Sequence, residues 1–210
     1  MTITNNIITD NTASSGYTGT GGGVRVLSNG ASVTIDSNTF SGNSSRGAID
    51  VGGGGFGPTG WAIITNNTIT ANKGDGINIS AANESDITTV SGNTITKNNG
   101  SGIAGGPLTA TNNTINNNTG IGITLGRTGN ITKNSILTNA GGGVTISGGG
   151  AGSKLRENLV TQNGGSTAIS INNSNWAVNS NNIFSNNTTW ALYYDGANGT
   201  TLDATNNWWG

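Results

Sequence analysis

Asn93-Thr94-Ile95-Thr96-Lys97-Asn98 and, 20 residues on, Asn113-Thr114-Ile115-Asn116-Asn117-Asn118 are two copies of one motif. Each places an asparagine, a large apolar residue two positions later and a second asparagine five positions after the first. Working outward, the motif stands again at Asn6/Ile8/Asn11, Asn38/Phe40/Asn43, Asn67/Ile69/Asn72, Asn134/Ile136/Asn139 and Asn158/Val160/Asn163. The same reading extends it to Asn182/Phe184/Asn187, and Asn207 with Trp209 opens a further copy. Three residues before the first asparagine the site is mostly apolar, as at Ile3, Ile35, Ile64, Val90, Ile131 and Leu155.

After the second asparagine comes an apolar pair: Ile49/Val51, Ile77/Ile79, Ile123/Leu125, Val144/Ile146 or Ile169/Ile171. A spacing of two puts both members on one face of a strand. Gly76, Gly102, Gly122 and Gly143 precede such residues and predict a tight turn into the strand. Each repeat of 20 to 32 residues therefore holds three short strands separated by turns. The predicted fold is all-β: a right-handed parallel β-helix of about eight coils, forming one solenoid domain over residues 1–210. Tyr194 and Trp209 are expected to point inward with the apolar columns.

Composition alone leaves disorder open, because only 8% of residues are charged and 31% hydrophobic. The repeat decides against it, since stacked coils share a core that no single repeat could form. A net charge of -1 with scattered basic residues argues against nucleic acid as a partner. The chain lacks cysteine and histidine, hence thiolate or imidazole metal sites and the commonest general base. No stretch approaches the roughly 20 apolar residues of a membrane helix, so no membrane insertion is expected.

The asparagines follow from the stacking. A buried turn leaves backbone groups in need of partners, and an amide both donates and accepts. Asn38, Asn67, Asn93, Asn113, Asn134, Asn158 and Asn182 are expected to form one structural ladder along the axis. Asn43, Asn72, Asn98, Asn118, Asn139, Asn163 and Asn187 form a second.

On these residues the chain resembles the parallel β-helix repeat proteins of the pectin-lyase-like superfamily. The closing Asn206-Asn207-Trp208-Trp209-Gly210 is similar to the last coil of many bacterial and archaeal surface members. The resemblance implies a fold more than an activity, because such folds carry lyases, hydrolases, epimerases and non-catalytic adhesins or stalks. The polygalacturonase-like and epimerase-like sites it would imply need a histidine, which this chain lacks. A pectate-lyase-like site would need clustered acids holding calcium, with an arginine as base. Here the acids fall on different columns and coils, and no catalytic residue is assigned. Glu84 and Asp86 share a loop and make at most a weak cation site. Asp75, in Gly74-Asp75-Gly76, reads as a turn residue. No cofactor is expected. Arg46 with Asp75, and Lys133 with Glu157, align in adjacent coils as exposed ion pairs.

The leading expectation is a non-catalytic, secreted or cell-surface β-helix acting as a stalk, adhesin segment or fibre subunit. Trp176, read as lying in a loop, and Trp190 and Tyr193, expected to point outward or to sit at a turn, are candidates for carbohydrate contact, because an aromatic face suits the apolar face of a sugar ring. One alternative is a polysaccharide-active, lyase-like domain with a degenerate site. Another is ice binding through Thr39-Phe40-Ser41, Thr68-Ile69-Thr70 and Thr94-Ile95-Thr96, where hydroxyl side chains flank the inward residue. Neither terminus carries a capping helix, which is expected of a segment cut from a longer solenoid or of subunits associating end to end.

Overall fold

The computed structural model describes residues 1–12, 22–27, 32–44, 46–52, 61–80, 83–148, 152–172, 175–183, 189–196 and 201–209. Their strands form three parallel sheets of nine, eight and eight strands. The first runs from Thr2–Thr4 to Leu202–Asp203, the second from Ile7–Thr9 to Asn182–Ile183, and the third from Val24–Val26 to Trp190–Asp195. Each strand pairs with its counterpart one coil away, so the chain visits first, second and third sheet in turn and climbs one strand per coil. The result is the right-handed β-helix that the motif predicts, with three strands per coil.

Sharp corners join the sheets, and the sequence shows how they are made. The residue before each ladder asparagine adopts a left-handed backbone conformation. Ser37, Asn66, Asn112, Lys133, Glu157 and Ser180 do so at the first corner, with φ between 53° and 58°. Ala71, Lys97, Asn117, Thr138 and Gln162 do so at the second, between 51° and 57°. Only glycine enters this region freely, and asparagine is the next most tolerant. The conformation turns the chain sharply enough to aim the following asparagine into the stack.

That asparagine is nearly inaccessible in every interior coil. In the first ladder, Asn93 Nδ2 donates to Asn113 Oδ1 at 3.0 Å, and Asn113 Nδ2 to Asn134 Oδ1 at 2.9 Å. Each Oδ1 also accepts the backbone N–H of the preceding rung, and each Nδ2 also reaches a carbonyl one coil back, as Asn113 reaches Val90 O at 2.9 Å. The second ladder repeats this from Asn11 through Asn43, Asn72, Asn98, Asn118 and Asn139 to Asn163. Corner groups that would otherwise be buried without partners are thereby satisfied.

One rung differs from expectation. Asn181, not Asn182, continues the first ladder, accepting from Asn158 Nδ2 at 3.0 Å and donating to Asn207 Oδ1 at 2.9 Å. Asn182 instead stands in the strand opposite Leu159, and Ile183, opposite Val160, takes the inward place expected of Phe184. The cause is the left-handed residue, Ser180, which fixes where the corner falls. Val178, three residues before Asn181 and facing Leu155, carries the signal that identifies the register. Phe184 and Asn187 lie outside the described residues.

Apolar side chains from all three sheets fill the interior. Ile35, Ile64, Val90 and Ile131 come from the first, Phe40, Ile69, Ile95, Ile115 and Ile136 from the second, and Ile49, Ile77, Ile103, Ile123 and Val144 from the third. Gly76, Gly102, Gly122 and Gly143 have ordinary negative φ, so the expected turn is not their reason. A Cβ on Gly122 would stand 2.5 Å from Ile136 Cγ2 and 2.6 Å from the Gly143 carbonyl. These glycines let the third sheet press against the inward residues of the second.

Candidate functional site: the outer face of the third sheet

Cross-coil register assembles one outward column along the whole third sheet. Arg25 stands opposite Asp50, Asp50 opposite Asn78, then Ala104, Thr124, Thr145, Ser170 and finally Tyr193. One end is ionic, the middle is hydroxyl-bearing and the other end is aromatic.

At the ionic end Asp50 is 2% exposed although it points away from the core. Its Oδ1 accepts from Asn78 Nδ2 at 2.5 Å, and its Oδ2 lies 3.5 Å from Arg25 Nε. Asn78 Nδ2 also reaches Ser80 Oγ at 3.1 Å. Burial pushes the Asp50 carboxyl above its ordinary range, opposed by the Asn78 hydrogen bond and by Arg25 and Arg46. Asp75 is raised by burial too, opposed by the Ser101 N–H that donates to its Oδ1 at 2.7 Å and by Arg46. Arg46 and Asp75 meet through the backbone, the Asp75 N–H donating to the Arg46 carbonyl at 2.9 Å. Among the described residues their side chains are not within ion-pair distance. The pair expected between Lys133 and Glu157 is formed, at 3.6 Å on an exposed face.

These contacts tie three successive coils together. A carboxylate closed off in this way acts as a clamp, and a solvent-borne substrate has no direct line to it. This cluster was missed in the sequence because loops of unequal length separate Arg25, Asp50, Asp75 and Asn78; the apolar pairs flanking Asp50 and Asn78 are the signal that aligns them.

At the aromatic end Trp190 is 56% and Tyr193 44% exposed. Tyr193 lies on the outward side of the strand Trp190–Asp195, where Leu192 faces Ile169 and Tyr194 faces Ile171 in the interior stacks, and Trp190 is the exposed first residue of that strand, opposite Thr167. Three residues of extended chain separate the two rings' attachment points by about 10 Å.

Trp176 is placed elsewhere. It opens the strand Trp176–Asn179 of the first sheet, is 3% exposed and donates from Nε1 to the Gly148 carbonyl at 3.2 Å. Small residues beneath it make room: Ser153 one coil below and, below that, Gly129, where a Cβ would come within 3.3 Å of the indole. Trp176 is thus a core residue whose edge borders an open cleft of 390 Å³, lined also by Lys154, Ala177 and Asp203.

Glu84 and Asp86 do not converge on a cation. Glu84 accepts from Arg127 Nη1 at 3.1 Å, from the Thr128 N–H at 3.1 Å and from the Thr128 hydroxyl. The Thr128 hydroxyl, first among these donors, lowers the Glu84 carboxyl below its ordinary range. Asp86 is buried and accepts from Asn83 Nδ2 at 3.0 Å. Among the described residues no three acidic side chains come together as a metal site would require. Among the described residues no helix is long and apolar enough to cross a membrane.

A solenoid of three parallel sheets with stacked asparagines at its corners defines the class: a parallel β-helix repeat protein. The family described as right handed beta helix region matches residues 55–208, and the chain belongs to it. No curated protein and no solved structure matches the chain.

Proposed function

We propose that this chain is a non-catalytic, secreted or cell-surface β-helix, a stalk, adhesin segment or fibre subunit, that contacts polysaccharide through the aromatic end of its third sheet. The observation that supports this is the exposure of Trp190 and Tyr193 in the last strand of the third sheet, Tyr193 at the end of a hydroxyl column, while Asp50 and Asp75 at the other end are held by protein donors. Sugar rings offer an apolar face to an aromatic side chain and hydroxyl edges to residues such as Ser170 and Thr145. In a fibre the strand ladders would run from one copy into the next, and light scattering over a concentration series reads that association.

The test of the contact is isothermal titration with neutral and acidic oligosaccharides. Binding weakened at least about tenfold in Trp190→Ala and Tyr193→Ala, roughly 1.4 kcal/mol, is the expected result. Equal binding by wild type and both variants would remove the aromatic end from the reading. Incubation with pectate and alginate, with and without calcium, is expected to yield no unsaturated or shortened product. Turnover abolished by Asp50→Asn or Asp75→Asn would replace the scaffold with a lyase-like enzyme.

A further inference from the structure

The outer face of the second sheet differs in charge from the other two. The first presents Asp36, Lys154, Arg156 and Asp203, and the third Arg25, Asp50, Asp75 and Asp195. The outward positions of the second hold no ionisable side chain among the described residues, in any of its eight strands. In its middle coils they are hydroxyl-bearing. One column runs Thr39, Thr68, Thr94, Thr114, Ser135, and beside it runs Thr9, Ser41, Thr70, Thr96.

The register of these columns is strict. Thr39 stands opposite Thr68, Thr68 opposite Thr94 and Thr94 opposite Thr114, with no slippage across coils whose lengths differ. Each strand is three residues long, with one inward side chain between two outward ones. The hydroxyls therefore form a regular net that repeats every 4.8 Å or so along the axis and about 6.6 Å along the strand. Inward packing of Phe40, Ile69, Ile95 and Ile115 holds it rigid, and β-branched threonine has few rotamers to lose.

We infer that this face binds ice. A neutral, rigid face gives no purchase to an ionic partner, because it carries nothing for a charged surface to pair with. What it offers is periodicity: hydroxyls that anchor water beside methyl groups that order the water around them. Waters held on neighbouring threonines therefore lie on a regular two-dimensional net, the kind of order that a crystal of water can continue. An ionised group inside the net would orient water about itself and break that match. Asp10, Lys97, Lys133 and Glu157 stand on the bordering corners, outside the net. Ile7 ends the net at one side and Leu137 and Leu159 at the other, leaving the four strands from Thr39–Ser41 to Thr114–Asn116 as its centre.

The inference is independent of the saccharide reading and is tested by thermal hysteresis and ice-crystal shaping on the intact chain. Wild type is expected to open a gap between melting and growth and to facet the crystal. Thr94→Tyr, which raises a ring above the net, is expected to lose most of that gap. Thr109→Tyr, on the outward side of the first sheet, is expected to keep it. Circular dichroism melts establish that both variants are folded, and Thr94→Ser, which removes only a methyl group, serves should the tyrosine unfold the coil. Crystals growing as unshaped discs at the melting point in wild type would overturn the inference. A gap lost in Thr109→Tyr and kept in Thr94→Tyr would overturn the assignment to this face.

Discussion

Asn113 spends its whole side chain on neighbouring coils. Its Oδ1 accepts from the backbone N–H and from Nδ2 of Asn93, both at 3.0 Å, and its Nδ2 donates to Val90 O and Asn134 Oδ1, both at 2.9 Å. Removing the amide takes its partner from the buried Asn93 N–H and one bond each from Asn93 Nδ2, Val90 O and Asn134 Oδ1, although Asn93 Nδ2 keeps the Ile64 and Ser91 carbonyls and Asn134 Oδ1 keeps the Asn113 N–H. A buried group left unpaired costs about 1–3 kcal/mol, more than the net worth of the bond itself. Asn113→Ala is accordingly expected to lose about 1–3 kcal/mol in urea denaturation. Asn116→Ala, an outward residue of the adjacent strand, should stay within about 0.5 kcal/mol of wild type. Similar losses in the two variants would mean that the ladder adds no more than a surface amide does.

Elements succeed here because small and large residues alternate between sheets. The third sheet meets the second through a column that is alanine or glycine in each interior coil: Ala48, Gly76, Gly102, Gly122, Gly143, Ala168. At Gly122 a Cβ would meet Ile136 Cγ2 at 2.5 Å and backbone at 2.6 Å, so the neighbouring coil itself must give way. Gly122→Ala is expected to cost about 1–3 kcal/mol, the usual range for overpacking, despite alanine's better strand propensity. Thermal melts of this variant beside Ala168→Gly check the idea, because the latter relieves no clash and should lose only about 0.5–1 kcal/mol. A stabilised Gly122→Ala would show that the sheets stand further apart. Trp176 follows the same logic, its bulk being matched by Ser153 and Gly129 below it.

For the whole molecule, the acid clusters set how stability depends on pH. Asp50 and Asp75 are raised by burial, so the folded state holds their protons more tightly than the unfolded chain does. Stability from that difference is fully present below the ordinary carboxylate value and is lost as pH rises through the raised folded values. Asp36, Glu84 and Asp203 behave oppositely. Hydroxyl donors, from Thr65, Thr128 and Thr205 respectively, lower them, so their contribution is present above the ordinary value and is lost as pH falls through the lowered folded values. The two sets combine to place the maximum in Tm near the ordinary carboxylate value, on the acid side of neutrality. Asp50→Asn should flatten the neutral limb and leave the acid limb in place. A wild-type Tm that climbs steadily from pH 4 to pH 8 would contradict the burial of these two carboxyls.

Much of this architecture is determined by local spacing. An asparagine, an apolar residue two positions on and a second asparagine five positions on mark a strand between two corners in the coils from Asn6 to Asn163, because each corner satisfies its own backbone through the amide that follows it. The strand type, the coil count, the inward columns as far as Val160 and the ladders as far as Asn158 and Asn163 were legible on that basis, whereas Ile183 replaces Phe184 in the inward column and Trp209, expected inward, is exposed. What tertiary structure decided is the alignment between coils of unequal length. Asn181 or Asn182 could each have led an apolar residue two positions later, and only the pairing of Val178 with Leu155 selects the first. Trp176 looked like a loop aromatic until the small residues beneath it opened the interior to its ring. Asp50, Asn78 and Arg25 became neighbours only through the pairing of third-sheet strands, whose connecting segments vary in length. Contacts within a corner are governed by a few consecutive residues, whereas contacts along the axis depend on how every intervening loop returns the chain to register.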